Sequence, residues 1–546
     1  MSTTLGTTRR HFLKTSLATA GTAALSRHLT LAQTPARYRR YNVTSPQGQQ
    51  ALVSYAKGIQ AMLNLPPDNP QNWFRNAFIH LMDCPHGNWW FYVWHRGYLG
   101  YFEQTIRNLS GDPNFAIPYW DWTTTLSPSP KSQPVIPDSM FNGVLTPTDS
   151  AFAPYTSDIG TFTSFIKPSL QQYWNQLDEF QRSMLEARGY KVFEDMWDDV
   201  TGDGNPENMA FATTSNARYL TRANPYLAAG AAGNVQPRNV YSGLTPTSFY
   251  DPINFISFNS SQTHNHNTPP PAGHPEVFST LEGLPHNTTH NCIGGAPQKA
   301  APWGNMTNNL SPIDPIFFLH HSNMDRLWDV WTRKQQALNL PYLPKGSDFI
   351  TYQIESFLFY VDGNGNTPPH ATAGDYISTT RFQYDYEPGF GEAIVPSSSA
   401  SRAAKHTIAP VKGLVHRNAA TLKLSASAIR SHLENGDRPS LIALVTVPRP
   451  SAASPNREFD ILVGAPSDAT QARIDSPYYA GTVAFFGGMM HMHGMSDEAT
   501  FLVPLPSHKE AFSGLGAGAA TVDITIRAVP VGGGASVLKA ATVHSL

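Results

Sequence analysis

The chain has 546 residues, 40 acidic and 38 basic, with a formal charge of −2 when histidine is neutral. That balance excludes nucleic acid and an anionic membrane as main partners, since both require clustered positive charge. The length allows two or more domains with sizeable cores. Its 45 prolines and 40 glycines predict short regular elements joined by many loops, and 11 tryptophans suggest rigid cores or an aromatic pocket.

The segment TTRRHFLKTSLATAGTAALS sets Arg9 and Arg10 ahead of Phe12, Leu13 and a short apolar run, a pattern similar to a twin-arginine export signal. The run is too short to span a bilayer, and LTLAQ offers a cleavage point after Ala32. Residues 1–32 are therefore read as a signal peptide, and the mature protein as periplasmic or secreted with no stable membrane association. Two cysteines, Cys84 and Cys292, make no disulfide framework, so an exported chain must rely on its core. A single bridge between them stays open.

SPQGQQALVSYAKGIQAMLNL has helical periodicity. In PPDNPQNWFRNAFIHLM, Asn69 is the expected cap and Pro70 the first helical residue, with His80 on the buried stripe. Trp90 to Leu109 is a further predicted helix carrying His95, and IPYWDW (117–122) closes the pair. Residues 125–270 read as irregular. Within them DVTGDGNPENM imitates a calcium loop but has Ala210 where the twelfth, acidic ligand belongs, so it is a surface loop. THNHNTPPPAGH, with His264, His266 and His274, also reads as a loop. LEGLPHNTTH has Pro285 as helix opener and His286 and His290 on one face, and SPIDPIFFLHHSNMDRLWDVW predicts an amphipathic helix with His321 one turn before Asp325. VPSSSASRAAK marks a linker, placed at 391–404. From 405 to 546, short alternating segments such as TLKLSAS, SLIALVTV, EFDILVG, ATFLVPL and VDITIRAVP predict a β-sandwich.

The helical part thus offers two sets of three imidazoles: His80, His86 and His95, then His286, His290 and His321. Three nitrogens per ion leave an open position for a further ligand. Di-iron sites would need Glu-x-x-His pairs, and a zinc peptidase would need glutamate after the first histidine, where Asn287 stands. All-histidine sets without carboxylates favour a pair of copper ions.

FYVWHRGYLGYFE, HNTTHNCIGG, DPIFFLHHSNMDRLW, IPYWDW and the YDY at 384–386 resemble landmarks of the type-3 copper family of tyrosinases, catechol oxidases and haemocyanins. The likeness spans residues 37–390, with a weaker one through the β-region. It implies a mainly α core built on a four-helix bundle around a dicopper centre, followed by the C-terminal β-sandwich. It assigns the first copper to His80, His86 and His95 and the second to His286, His290 and His321, leaving His320 a packing residue. Cys84, two before His86, is a thioether candidate. Glu282 and Asn287 correspond to residues that hold a basic water near phenol in relatives, with Asn287 helping Glu282 stay ionised. Asn308 is the gate candidate. The resemblance further implies O2 and small phenolic or catecholic substrates, with hydroxylation of monophenols and oxidation of o-diphenols to o-quinones. Catechol oxidation alone, or haemocyanin-like oxygen binding, are the alternatives, and an oligomer is compatible with the sequence. Met489, Met490, His491, Met492, His493 and Met495 form an accessory copper candidate in a domain expected to be a lid or a copper-loading device.

Overall fold

The structure, a computed structural model, describes residues 36–127, 133–201, 217–296, 298, 303–369, 371–397, 408–450, 456–469, 475–486 and 495–546. The segment 1–32, most of the calcium-like loop, and Met489, Met490, His491, Met492 and His493 lie outside them; Met495 is half-buried against the β-region core.

The first half is helical. Strand β1 (Tyr38–Arg40) pairs in parallel with β3 (Tyr384–Tyr386), joining the two ends of this region. Helix α1 (Pro46–Leu63) starts at Ser45, whose hydroxyl accepts from the Gly48 N–H, with proline at its first position. Helix α2 (Trp73–Asp83) is capped by Asn72 rather than Asn69. Asn72 Oδ1 reaches the free N–H groups of Phe74 and Arg75, whereas the Asn69 side chain accepts from Gln71 in the preceding turn. Helix α3 (Phe91–Ser110) ends at Gly111, whose φ of +73° suits a residue without a Cβ.

Residues 125–270 correct the expectation of an irregular stretch. They contain α4 (Ile159–Gln176), α5 (Glu179–Ala187), α6 (Phe193–Thr201), α7 (Ala229–Asn234) and α8 (Pro237–Leu244). The signals are local. Asp158 accepts from the Thr161 N–H, Asp178 forms a capping box with Gln181, and Phe162, Ile166, Leu170 and Trp174 recur on one buried face. A high content of Ser, Thr and Asn masked that period.

Pro285 is also not a helix opener. It lies inside a π-helical turn (Glu282–His286) that runs straight into α9 (Asn287–Gly294). Helix α10 (Ile316–Ala337) carries His320 and His321, and α11 (Gly346–Ile354) follows. Among the described residues no helix is long and apolar enough to cross a membrane.

The second half contains the strands predicted from alternation, plus β4 (Val411–Lys412), β5 (Leu414–His416) and β12 (Ala540–Ser545), which are too short or too weakly patterned to read from sequence. They form two five-stranded sheets, ordered β2-β10-β7-β12-β4 and β5-β6-β11-β8-β9. In β6 (Ala419–Ser425) and β11 (Thr521–Pro530) every second residue is buried, the pattern of a sheet with one wet face. By contrast β7 (Leu441–Pro448), β8 (Glu458–Val463), β9 (Tyr479–Ala484) and β10 (Glu498–Pro504) are buried along almost their whole length. One face of β8 fills the sheet core through Phe459, Ile461 and Val463. The other presents Glu458 and Asp460 away from it.

Strand β2 (Val277–Phe278) comes from the helical half and pairs in parallel with β10. Phe278 and Leu284, both upstream of α9, belong to the apolar cluster of the β-region. The two halves therefore share a sheet and a core.

Candidate metal centre

Four helical segments bring eight metal-binding side chains together in two buried groups. One holds His80 from α2, Cys84 and His86 from the loop after it, and His95 from α3. The other holds His286 and His290 around the start of α9 and His320 and His321 from α10; within each group the ligand atoms lie within 4.8 Å of one another. All six histidines read from the sequence converge. His320 joins them, its ring 5.3 Å from that of His286 and 5.0 Å from that of Trp122, with both nitrogens buried and unpartnered.

The ring orientations fit a metal. Nδ1 of His80 meets the Asn309 carbonyl at 2.7 Å, His95 the Phe91 carbonyl at 2.7 Å, His290 the Met306 carbonyl at 2.8 Å, and His286 the Asn287 Oδ1 at 2.8 Å. An acceptor at Nδ1 places the proton there and turns the Nε2 lone pair inward. Nε2 of His80 and of His286 is buried with no partner, which in a closed polar cluster is the mark of a site built for an ion. Burial lowers the pKa of all seven histidines, to about 3 for His80 and His286, so each is neutral and able to ligate. The donor set, imidazole nitrogen with no carboxylate, suits copper.

Cys84 and Cys292 are both free and buried. Cys84 Sγ is 3.3 Å from Nε2 of His95 and 3.9 Å from that of His86. Cys292 accepts from the Ala228 N–H. The His86 loop turns at Gly87, φ +68°, where a Cβ would meet Glu276 Oε1 at 2.9 Å and Phe278 at 3.0 Å.

Glu282 is fully buried. It accepts from the Gly87 N–H at 2.6 Å and from the Ser260 hydroxyl, and burial pushes its pKa up to about 8. Among the described residues Glu282 makes no direct hydrogen bond to Asn287. That side chain is committed to His286 and donates its Nδ2 to the Ala484 carbonyl at 2.7 Å, and Glu282 is favoured in its protonated form at neutral pH. Asn308 is half-buried and caps Leu310 N–H at 2.7 Å.

Three features escaped sequence reading. Phe486, just past β9, lies with its ring 4.2 Å from His290, 5.0 Å from His86 and 5.8 Å from His286. It thus sits over both histidine groups. Asn291, next to His290, donates to the Phe485 carbonyl and to Glu458, both at 3.1 Å. Glu458 is buried and pushed up to about 8. An aromatic pair ending a strand is the only trace of this in the sequence.

A buried all-histidine double site beneath a β-region defines a class of metalloprotein, and comparison narrows it. The model of the common central domain of tyrosinase matches residues 49–334, more than half of the chain. The chain belongs to the tyrosinase family, whose cofactor is a pair of copper ions. A chloroplastic polyphenol oxidase of Spinacia oleracea is 25% identical over 363 residues, 62% of this chain and 45% of that one. A tyrosinase of Hahella sp. is 26% identical over 376 residues, 67% of this chain and 57% of that one. The chain spans about half the length of such curated relatives. Among solved structures, latent apple tyrosinase (17% identity, TM-score 0.50) covers 94% of this chain and 97% of its own. Latent aurone synthase, a polyphenol oxidase (19% identity, TM-score 0.52), covers 94% and 91%. These two show that the fold is shared over nearly the whole length.

Proposed function

We propose that this chain is an exported dicopper oxidase that uses O2 to hydroxylate monophenols and oxidise o-diphenols to o-quinones, held closed by its C-terminal β-domain. The convergence of six neutral histidines in two groups carries the reading. His80, His86 and His95 would hold one copper and His286, His290 and His321 the other, in a helical core that serves as the family's four-helix bundle. Bound there, the copper pair supplies the redox chemistry with O2. The chain's own residues do the rest. Phe91 and Phe317 wall the histidines, 4.6 Å from the His95 ring and 4.1 Å from that of His321, and exclude water. The ionised fraction of Glu282, which grows as pH rises toward about 8, can take the phenol proton, and Asn287 fixes His286. Asn308 is the proposed gate, and the Cys84–His86 thioether would fix the His86 ring.

The test follows quinone formation from catechol and from a monophenol, with and without Glu282→Gln. The monophenol reaction should fall at least tenfold while catechol oxidation changes less than threefold. Equal losses on both substrates would remove Glu282 from the proton path. No quinone from either substrate, with reversible oxygen uptake, would favour an oxygen carrier.

The histidines also fix a pH dependence. Their folded pKa values are depressed below 6.5, so the stability they confer is present above pH 6.5 and is lost as pH falls toward about 3. Glu282 and Glu458 act oppositely. Raised from 4.5 to about 8, they favour the fold at low pH and lose that contribution as pH rises through about 8. Thermal melting of the apo-protein should therefore peak near pH 6.5 and fall on both sides, and copper should flatten the acid limb. An apo-protein equally stable at pH 4.5 and 6.5 would contradict this.

A further inference from the structure

We propose that His266 and Arg188 are positioning residues for the first copper, clamping the segment from Asp83 to Asn88 and so holding His86 opposite His80 and His95. The inference rests on the dicopper reading above.

The need is sharpest at His86, since His321, whose Nδ1 also lacks a partner, is fixed on helix α10. Among the described residues, no carbonyl or carboxamide orients its ring, as one does for His80, His95, His286 and His290. It also stands outside the helices, between the end of α2 and the start of α3. Apart from the thioether proposed to Cys84, its orientation depends on the segment that carries it.

The segment is held from outside through side chains at both ends and through a backbone carbonyl between them. His266 Nε2 bonds Asp83 Oδ1 at 2.9 Å, and the His266 carbonyl accepts from Asn88 Nδ2 at 3.1 Å, so one residue ties both ends of the segment. Trp94 Nε1 donates to the other Asp83 oxygen at 2.9 Å. Arg188, just past α5, donates Nη2 to the Cys84 carbonyl at 2.7 Å and Nη1 to Asn267 Oδ1 at 2.8 Å. Glu355 Oε1 holds His266 in turn, at 2.5 Å to Nδ1 and 2.9 Å to the backbone N–H.

His266 therefore spends both ring nitrogens on carboxylates and is no metal ligand. Its pKa is raised to about 9, consistent with an imidazolium donating at both ends. Side chain, backbone and guanidinium are buried, where such charge-assisted bonds are strong and a missing partner is costly. This gives a role to the His266 loop and to the end of α5, which supply no residue to the metal site itself.

The test uses full-length Arg188→Met and His266→Gln, with Arg188→Lys as the conservative variant and His86→Ala as a reference lacking a first-copper ligand. Copper per chain is titrated, and the oxidised proteins are examined by electron paramagnetic resonance. A coupled Cu(II) pair is silent and a lone Cu(II) is not. The clamp predicts a 10–100-fold loss of affinity for one copper only, as expected for a residue that orients a ligand. It further predicts a lone-Cu(II) signal matching His86→Ala, a catechol KM within twofold, and partial recovery in Arg188→Lys or with excess copper. Should Arg188→Met fail to fold, His266→Gln must show the same selective loss. Two coppers at wild-type affinity in both variants, or parallel loss of both coppers, would overturn the inference. If the wild type itself takes up fewer than two coppers, the dicopper reading fails first.

Discussion

Phe486→Ala should raise catechol turnover by the intact, copper-loaded chain at least about tenfold. The Phe486 ring occupies the space above both histidine groups, 4.2 Å from His290 and 5.0 Å from His86, where a phenol ring must lie to reach two coppers. On the lid reading proposed above, substrate enters only when Phe486 leaves this space, and apparent affinity is scaled by that open fraction; an open population of about 1–10% gives a rise of about 10–100-fold once the ring is removed. Truncation to alanine costs about 3 kcal/mol in a tight core, yet much of the docking survives. Asn234 exchanges two hydrogen bonds with Thr482, at 2.6 and 3.1 Å, and Asn287 and Asn291 still bind the Ala484 and Phe485 carbonyls. The buried Arg449–Glu276 pair and the β2–β10 pairing also remain. Steady-state quinone formation measures the effect, and unchanged turnover would show that Phe486 does not bar the site. The point variant is the better probe than excision of the domain. Removing residues after the linker would expose Phe278 and Leu284, which belong to the β-region core, directly ahead of His286.

His286→Ala should abolish activity, by roughly 10³-fold or more, and reduce bound copper from two per chain to one. His286 has its Nδ1 locked by Asn287 and its Nε2 aimed into the cluster, so its removal takes away one of three oriented imidazoles. A copper left with two imidazoles is held weakly, and binding energy here is also site-ordering energy. Copper stoichiometry with catechol turnover decides it. Two firmly held coppers with residual activity above 10% would move His286 out of the ligand set; His320, whose free nitrogens lie in the same cluster, would then be the ligand in its place.

Much of this was legible in the sequence because the relevant signals are local. His286 and His290, and His321 with Asp325, follow helical spacing, and the β-region strands alternate. What stayed hidden depends on long-range placement. Nothing in FFGG tells that Phe486 lies against His290, nearly 200 residues earlier in the chain. His266 looked like one of three loop histidines, and only tertiary contact with Asp83 and Glu355 sets it apart. The partners of Glu282 could not be derived from the sequence. Ser260 and Gly87 reach it from separate segments, while the adjacent Asn287 is turned toward the β-domain. The helices between 159 and 244 are hidden for another reason: their caps and apolar faces are present but diluted by polar residues.

The central claim is that two coppers act as one centre. The most direct test is catechol-dependent O2 consumption by full-length Phe486→Ala as copper is added stepwise to the apo-protein. A dinuclear oxidase predicts activity that lags behind the first copper and rises with the square of site occupancy until both sites fill. Activity proportional to copper from the first ion onward, or none with two coppers bound, would contradict it.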